Sequence, residues 1–151
     1  MGSRGARSSA KSVIIKKEGK TKPENYRTIA KVDKTKLENY ELVDDMLSEK
    51  IVLTNERKAH LLEDHPDDFD RIMKELDETI KEPDEIRVGK KDNTELHYIR
   101  QLESDNQISV VKVQIDKEDT KHKENSIISS WIVNNKNLKR KNKKTTNIYK
   151  K

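Results

Sequence analysis

The chain predicts an α+β fold, with two helices laid on one face of an antiparallel sheet, and three observations carry that reading. Apolar residues recur at helical spacing through Phe69, Ile72, Met73, Leu76 and Ile80. Strand-like segments follow at 84–88, 94–102 and 107–115, and a fourth, 126–133, comes after a polar loop. The turns Gly89–Asn93 and Glu103–Asn106 are short enough to join hairpins. Helices first and hairpin-linked strands afterwards are the order of an α+β domain, not of alternating βα units.

Each element has a local reason. Residues 1–25 are polar and rich in Lys, Ser and Gly, and are expected to be a flexible leader or an appended segment. A single domain is expected over 26–151, ending in a basic tail. From Tyr26 to Asp45, Ile29, Val32, Leu37, Leu42 and Val43 suggest one or two short strands. Ile51-Val52-Leu53 leads into the first helix, where Thr54 or Asn55 can accept an orphan backbone N–H and Glu56 suits the positive end of the dipole. Pro66 ends that helix, because the residue before a proline is pushed out of the helical region. Asp67 or Asp68 caps the second helix and Pro83 stops it.

Composition narrows the function classes. Only 30% of the 151 residues are hydrophobic and 40% are charged, so the core is small. No apolar run approaches the roughly 18 residues of a membrane span, and no signal-peptide core is present. The absence of cysteine excludes disulfides and thiolate metal sites, and suits a cytoplasmic site of action. Residues 1–20 hold six Lys or Arg against one Glu, and residues 134–151 hold eight against no acid. With +5 overall, the segment between them carries −8, so attraction to phosphate must come from the ends and from local cations.

Three groups could do chemistry. The first is Arg57, Lys58, His60 and His65. On a helix Arg57 and His60 share a face, whereas His60 and His65 diverge by about 140°. The alternative is that the cations are solvated and His60 packs under Leu53 or Leu61. These histidines lack the i, i+4 spacing and committed carboxylate of a metal site, so no metal or cofactor is expected.

The second group is Asn125, Ser126, Ser129 and Ser130 on the last strand, where small hydroxyls between bulky neighbours leave dents able to admit a phosphate. Strict alternation places Ile127, Ser129, Trp131 and Val133 on one face and Ser126, Ile128, Ser130 and Ile132 on the other. His97 and Arg100 fall on opposite faces of their strand, and Arg100 could clamp a phosphate. The third group is the tail, where Lys139, Arg140 and Lys141 precede Ile148-Tyr149. This ending could return to the sheet as a short strand, with Tyr149 stacking on a base or donating its hydroxyl.

Several segments match one family in order: Ile51 to His60, His65-Pro66, Ile80 to Ile86, Asn125 to Trp131 and Ile148-Tyr149-Lys150. Together they resemble the phage-type members of the barnase–EndoU–colicin–RelE superfamily, small metal-independent ribonucleases, over about residues 40–151. The resemblance implies helices on a four-stranded antiparallel sheet, and a toxin or phage effector acting on RNA, with tRNA one candidate. It further implies restraint by an immunity protein or antitoxin, delivery as part of a larger secreted or phage protein, and no membrane partner.

By position, the family's Arg and His fall on Arg57 and His60, its second His on His65, and its hydroxyl motif on Asn125, Ser126 and Ser129. On that footing His60 makes one proton transfer and His65 or Tyr149 the other, while Arg57 holds nonbridging oxygens. Ser126, Ser129 and Asn125 orient the phosphate, and Lys58, Arg100, Lys139 and Arg140 assist binding. The rival reading is a non-catalytic protein-binding module of immunity or phage-structural type, favoured by the acidic central segment.

Overall fold

The computed structural model describes residues 25–119 and 123–151, so the expected leader lies outside the described residues but for its last position. In chain order the elements are β1 (Tyr26–Lys31), β2 (Lys50–Thr54), α1 (Asn55–Asp64), α2 (Phe69–Lys81), β3 (Glu85–Gly89), β4 (Glu95–Gln101), β5 (Asn106–Lys112), β6 (Asn125–Val133), α3 (Asn135–Asn142) and β7 (Thr145–Lys150). No described helix is long and apolar enough to cross a membrane.

The α+β class holds, but the sheet is larger than four strands and not wholly antiparallel. Seven strands run in the order β1-β2-β6-β5-β4-β3-β7, and β2 pairs with β6 in parallel. The expected antiparallel core is β3-β4-β5-β6. The extra strands are β1 and β2 at one edge and β7 at the other. Short polar strands such as Thr145–Lys150 lack a hydrophobic alternation of their own and form by pairing with a neighbour, here β3. The basic tail does return to the sheet as a short strand, β7, and does not fray, but a helix not expected there, α3, comes before it.

The local signals at the helix ends act as the residues dictate. Thr54 Oγ1 accepts the Arg57 backbone N–H at 3.1 Å, and His65 terminates α1 just before Pro66. Asp68 stands at the N-cap of α2 without using its side chain, and Lys81 completes the last turn. Between β1 and β2 the chain has one short 3-10 turn, Val43–Asp45, in place of a second strand.

The two faces of the sheet differ. Leu61 of α1 and Leu76 and Ile80 of α2 pack with Ile86, Leu96, Tyr98, Val111 and Ile127 into the main core. On the opposite face a smaller cluster of Ile99, Ile108, Val110 and Val133 lies under Ile128, Trp131 and Leu138, and Leu138 belongs to α3. A helix on this second face was not foreseen. Lys139, Arg140 and Lys141 leave α3 only Leu138 as an apolar side chain, too little to reveal the helix by periodicity.

Strict alternation also fails along β6. Ser129 pairs with Val110 and Ile127 with Val111, leaving Ile128 without a partner in a bulge. Ile127 is therefore fully buried in the main core, while Ser129 and Trp131 stay on the α3 side, joined by Ile128. The bulge changes the face on which the N-terminal half of the strand presents its side chains.

Candidate active site

The face that carries α3 is only partly covered, and what stays open is polar. A cavity of about 300 Å³ is lined by Arg57, Glu95, Lys112, Glu124, Ser126 and Ile128 among others. A second, of about 540 Å³, is lined by Glu95, His97, Asp92, Lys141, Lys144 and Thr145 among others. Glu95 belongs to both, so the two form one groove across the sheet.

Strand register builds the floor. Ser126 on β6 faces Lys112 on β5, and Lys112 faces Glu95 on β4. One row along, Ser129 is opposite Val110, Val110 opposite His97, and His97 opposite Arg87 on β3. Glu95 and His97 are two apart on one strand, so both side chains point into the groove while Leu96 and Tyr98 point into the main core.

Arg57 arrives from the other side through two short links. β2 runs directly into α1, and the Thr54 cap fixes Arg57 in the first helical turn. Asn125 pins β2 to β6: its Nδ2 donates to the carbonyls of Ser48 and Lys50, both at 2.9 Å, and its Oδ1 accepts the Gln114 N–H at 2.9 Å. Those bonds fix β2 beside β6, and with it the start of α1, so that Arg57 and Ser126 line one cavity.

Electrostatics set the state of the groups. His97 is 14% exposed, and its pKa is lowered to about 4 by burial first, then by the nearby cations Lys141 and Arg87. The imidazole is thus neutral near pH 7, with Nε2 4.0 Å from Glu95 Oε1. Lys112 Nζ contacts Asp92 Oδ2 at 2.7 Å, and this bond, with those from Thr94, holds the Asp92 carboxyl at about 2. Arg87 is fully engaged by Glu85, Thr145 and the Asn142 carbonyl. It is a pin for the turn between α3 and β7. Among the described residues no group of three His, Asp or Glu side chains stands ready to hold a metal ion.

The structure separates several residues that the sequence grouped. Arg57 and Ser126 meet in the groove. His60, about one turn further along α1, is 51% exposed with Nδ1 3.9 Å from Glu63, and does not pack under Leu53 or Leu61. Lys58 is exposed on the same helix. His65 ends α1, about 12 Å of helix rise beyond Arg57, and lines neither cavity. Asn125 is completely buried with both ends of its amide engaged, so it positions strands and does not touch substrate.

Other expected site residues lie apart. Arg100 is on the helix-bearing face, where its guanidinium meets Glu75 of α2 at 2.6 Å, and it cannot clamp a phosphate in the groove. Tyr149 pairs with Ile86 on edge strand β7 and packs against the main core, with Lys36 Nζ 6.0 Å from its ring centre. It shares no cavity with Arg57. Ser129 faces the α3 side but lines neither cavity, because the bulge sets it beside Val110. Lys139 and Arg140 are exposed on α3, above the same face.

Glu95, His97 and Lys112 were not read from the sequence as site residues. A signal existed in the spacing Glu95-Leu96-His97-Tyr98, which alternates titratable and apolar groups on one strand. Its meaning depended on which face would stay open. Nothing among curated proteins or solved structures matches the chain. Residues 27–150, which include the whole groove, match the family described as phage-Barnase-EndoU-ColicinE5/D-RelE like nuclease2, and the chain belongs to that family of nuclease-like proteins.

Proposed function

We propose that the protein is a metal-independent endoribonuclease, of the kind that serves as a toxin or phage effector. The observation that carries this reading is a neutral imidazole and a carboxylate sharing one groove with Arg57, Lys112 and Ser126. In this reaction the 2′-hydroxyl of RNA loses its proton and attacks the adjacent phosphorus. The P–O5′ bond breaks, leaving a 2′,3′-cyclic phosphate and a 5′-hydroxyl. Arg57 and Lys112 hold the nonbridging oxygens and offset the charge of the phosphorane, and Ser126 orients the phosphate.

His97 takes the 2′-hydroxyl proton, for which its neutral state is the competent one. Glu95 steadies the imidazolium that forms. The incoming phosphate anion further offsets Lys141 and Arg87, so His97 becomes a stronger base once RNA is bound. His60, about one turn past Arg57 on α1 and outside both cavities, is assigned the proton given to the departing 5′-oxygen. In-line displacement requires His60 to face the phosphorus from the side opposite His97. With the base near 4 in the free protein, the acid limb of kcat/KM falls below about pH 4, and that of kcat falls at a higher pH.

The test is incubation with tRNA and rRNA in EDTA, alongside His97→Ala, Arg57→Ala and His60→Ala. Fragments ending in 2′,3′-cyclic phosphate, lost or greatly reduced in all three variants, are expected. DNA of the same sequence is bound and left uncut, because it lacks the nucleophile. Intact RNA at high protein concentration would instead support the protein-binding module and refute the enzyme.

A further inference from the structure

The groove continues well beyond the phosphate held by Arg57. Its second cavity is rimmed by two turns, one between β3 and β4 carrying Lys90 and Lys91, the other between α3 and β7 carrying Lys143 and Lys144. The turns are fastened to each other. The Lys90 N–H donates to the Lys144 carbonyl at 3.0 Å, and Arg87 reaches under the second turn to Thr145 and the Asn142 carbonyl. Lys141 sits over the Trp131 ring at 5.1 Å. Gly89 allows the first turn to close, since a Cβ there would stand 2.7 Å from the Asp92 carbonyl oxygen. These cations therefore stand on a rigid frame.

From Ser126 on β6 the groove crosses β5, β4 and β3 to reach Thr145 on β7, four strand spacings or about 19 Å. At about 3.4 Å per stacked nucleotide that length takes roughly four to six nucleotides. We propose that this groove is a channel for single-stranded RNA, in which Lys90, Lys143 and Lys144 bind the phosphates flanking the one that Arg57 holds. The inference rests on the ribonuclease reading of the same site and adds its substrate class. A single strand is required because His97 lies at the floor, 14% exposed, where the backbone of a rigid duplex cannot descend.

The experiment compares RNA octamers with trimers as substrates for the full chain, across a range of salt. Lys90→Gln/Lys143→Gln/Lys144→Gln is set against Lys31→Gln/Lys74→Gln/Lys81→Gln, an equal charge loss off the groove. The intact protein is expected to prefer the octamer at least tenfold in kcat/KM. The groove variant should lose most of that preference and flatten its log–log salt slope by about 2, roughly 0.7 per lost phosphate contact. The control should keep both. An unchanged preference in the groove variant, or an equal loss in the control, overturns the channel while leaving the ribonuclease intact. An acidic protein partner on the same rim would make RNA length irrelevant and likewise overturn it. If no RNA is cut, binding of a labelled octamer that only the groove variant loses would retain the channel and refute the reaction. Equal binding by all three proteins would refute both.

Discussion

The two faces of the sheet use polar residues in opposite ways. On the helix-bearing face they bond to one another and to the backbone, with Gln107 Oε1 buried and left without a partner. Gln107 Nε2 donates to the Ile72 carbonyl of α2 and to Ser130 Oγ, Ser130 bonds Ser109 at 2.8 Å, and Arg100 meets Glu75. On the groove face Glu95, His97 and Ser126 line open cavities. A hydroxyl or guanidinium on a strand is thus no evidence of a site until its face is known. Ser130 and Ser126 are chemically alike, yet one ties the core to α2 and the other lies beside Arg57.

The sharpest way to break this contrast is one substitution on each face. Arg57→Ala should lower RNA cleavage by about 100-fold or more while moving the thermal midpoint little, since the side chain is exposed. Gln107→Ala should do the reverse. It opens a cavity under α2 and removes the Nε2 bonds to Ser130 Oγ and the Ile72 carbonyl, costing about 2–4 kcal/mol in denaturant titration, with cleavage by the folded fraction retained. If Gln107→Ala abolished cleavage without loss of stability, the faces would not divide the work as described.

A second prediction isolates His97. Its pKa in the fold, about 4, lies below the roughly 6.5 of an unfolded histidine, so the unfolded chain binds the extra proton between those values. Stability contributed by this group is present above about pH 6.5 and is lost as pH falls through about 4. The loss amounts to about 3 kcal/mol at roughly 1.4 per pKa unit. Denaturation at pH 7 and pH 4.5 should show it in the native chain, and His97→Asn should remove this part of the pH dependence.

The smallest effect is expected at Gly89→Ala. The added methyl must push the β3–β4 turn away from the Asp92 carbonyl, displacing Lys90 and the Lys112–Asp92 contact. A stability loss of about 1 kcal/mol and a severalfold rise in KM for long RNA are expected. An unchanged KM would show that this turn does not bind substrate.

Local chemistry settled much of this protein without the tertiary structure. The spacing of Ile72, Leu76 and Ile80 made α2, Thr54 and Pro66 bounded α1, β-branched residues favoured β5 and β6, and the alternation of Glu95 and His97 with Leu96 and Tyr98 favoured β4. Each of these depends on a few neighbouring residues. Arg57 and Ser126 were likewise legible as a cation and a hydroxyl in fitting motifs. Other features depended on partners distant in the chain. The β6 bulge exists only against β5, and Asn125 is structural only because Ser48, Lys50 and Gln114 converge on it. Arg100 is occupied because Glu75 lies across from it, and the basic tail becomes α3 and β7 because the apolar patch and β3 are there to receive them. Which face stays open is set by where the helices pack. That packing, which periodicity along the chain does not specify, left His97 and Glu95 lining an open groove.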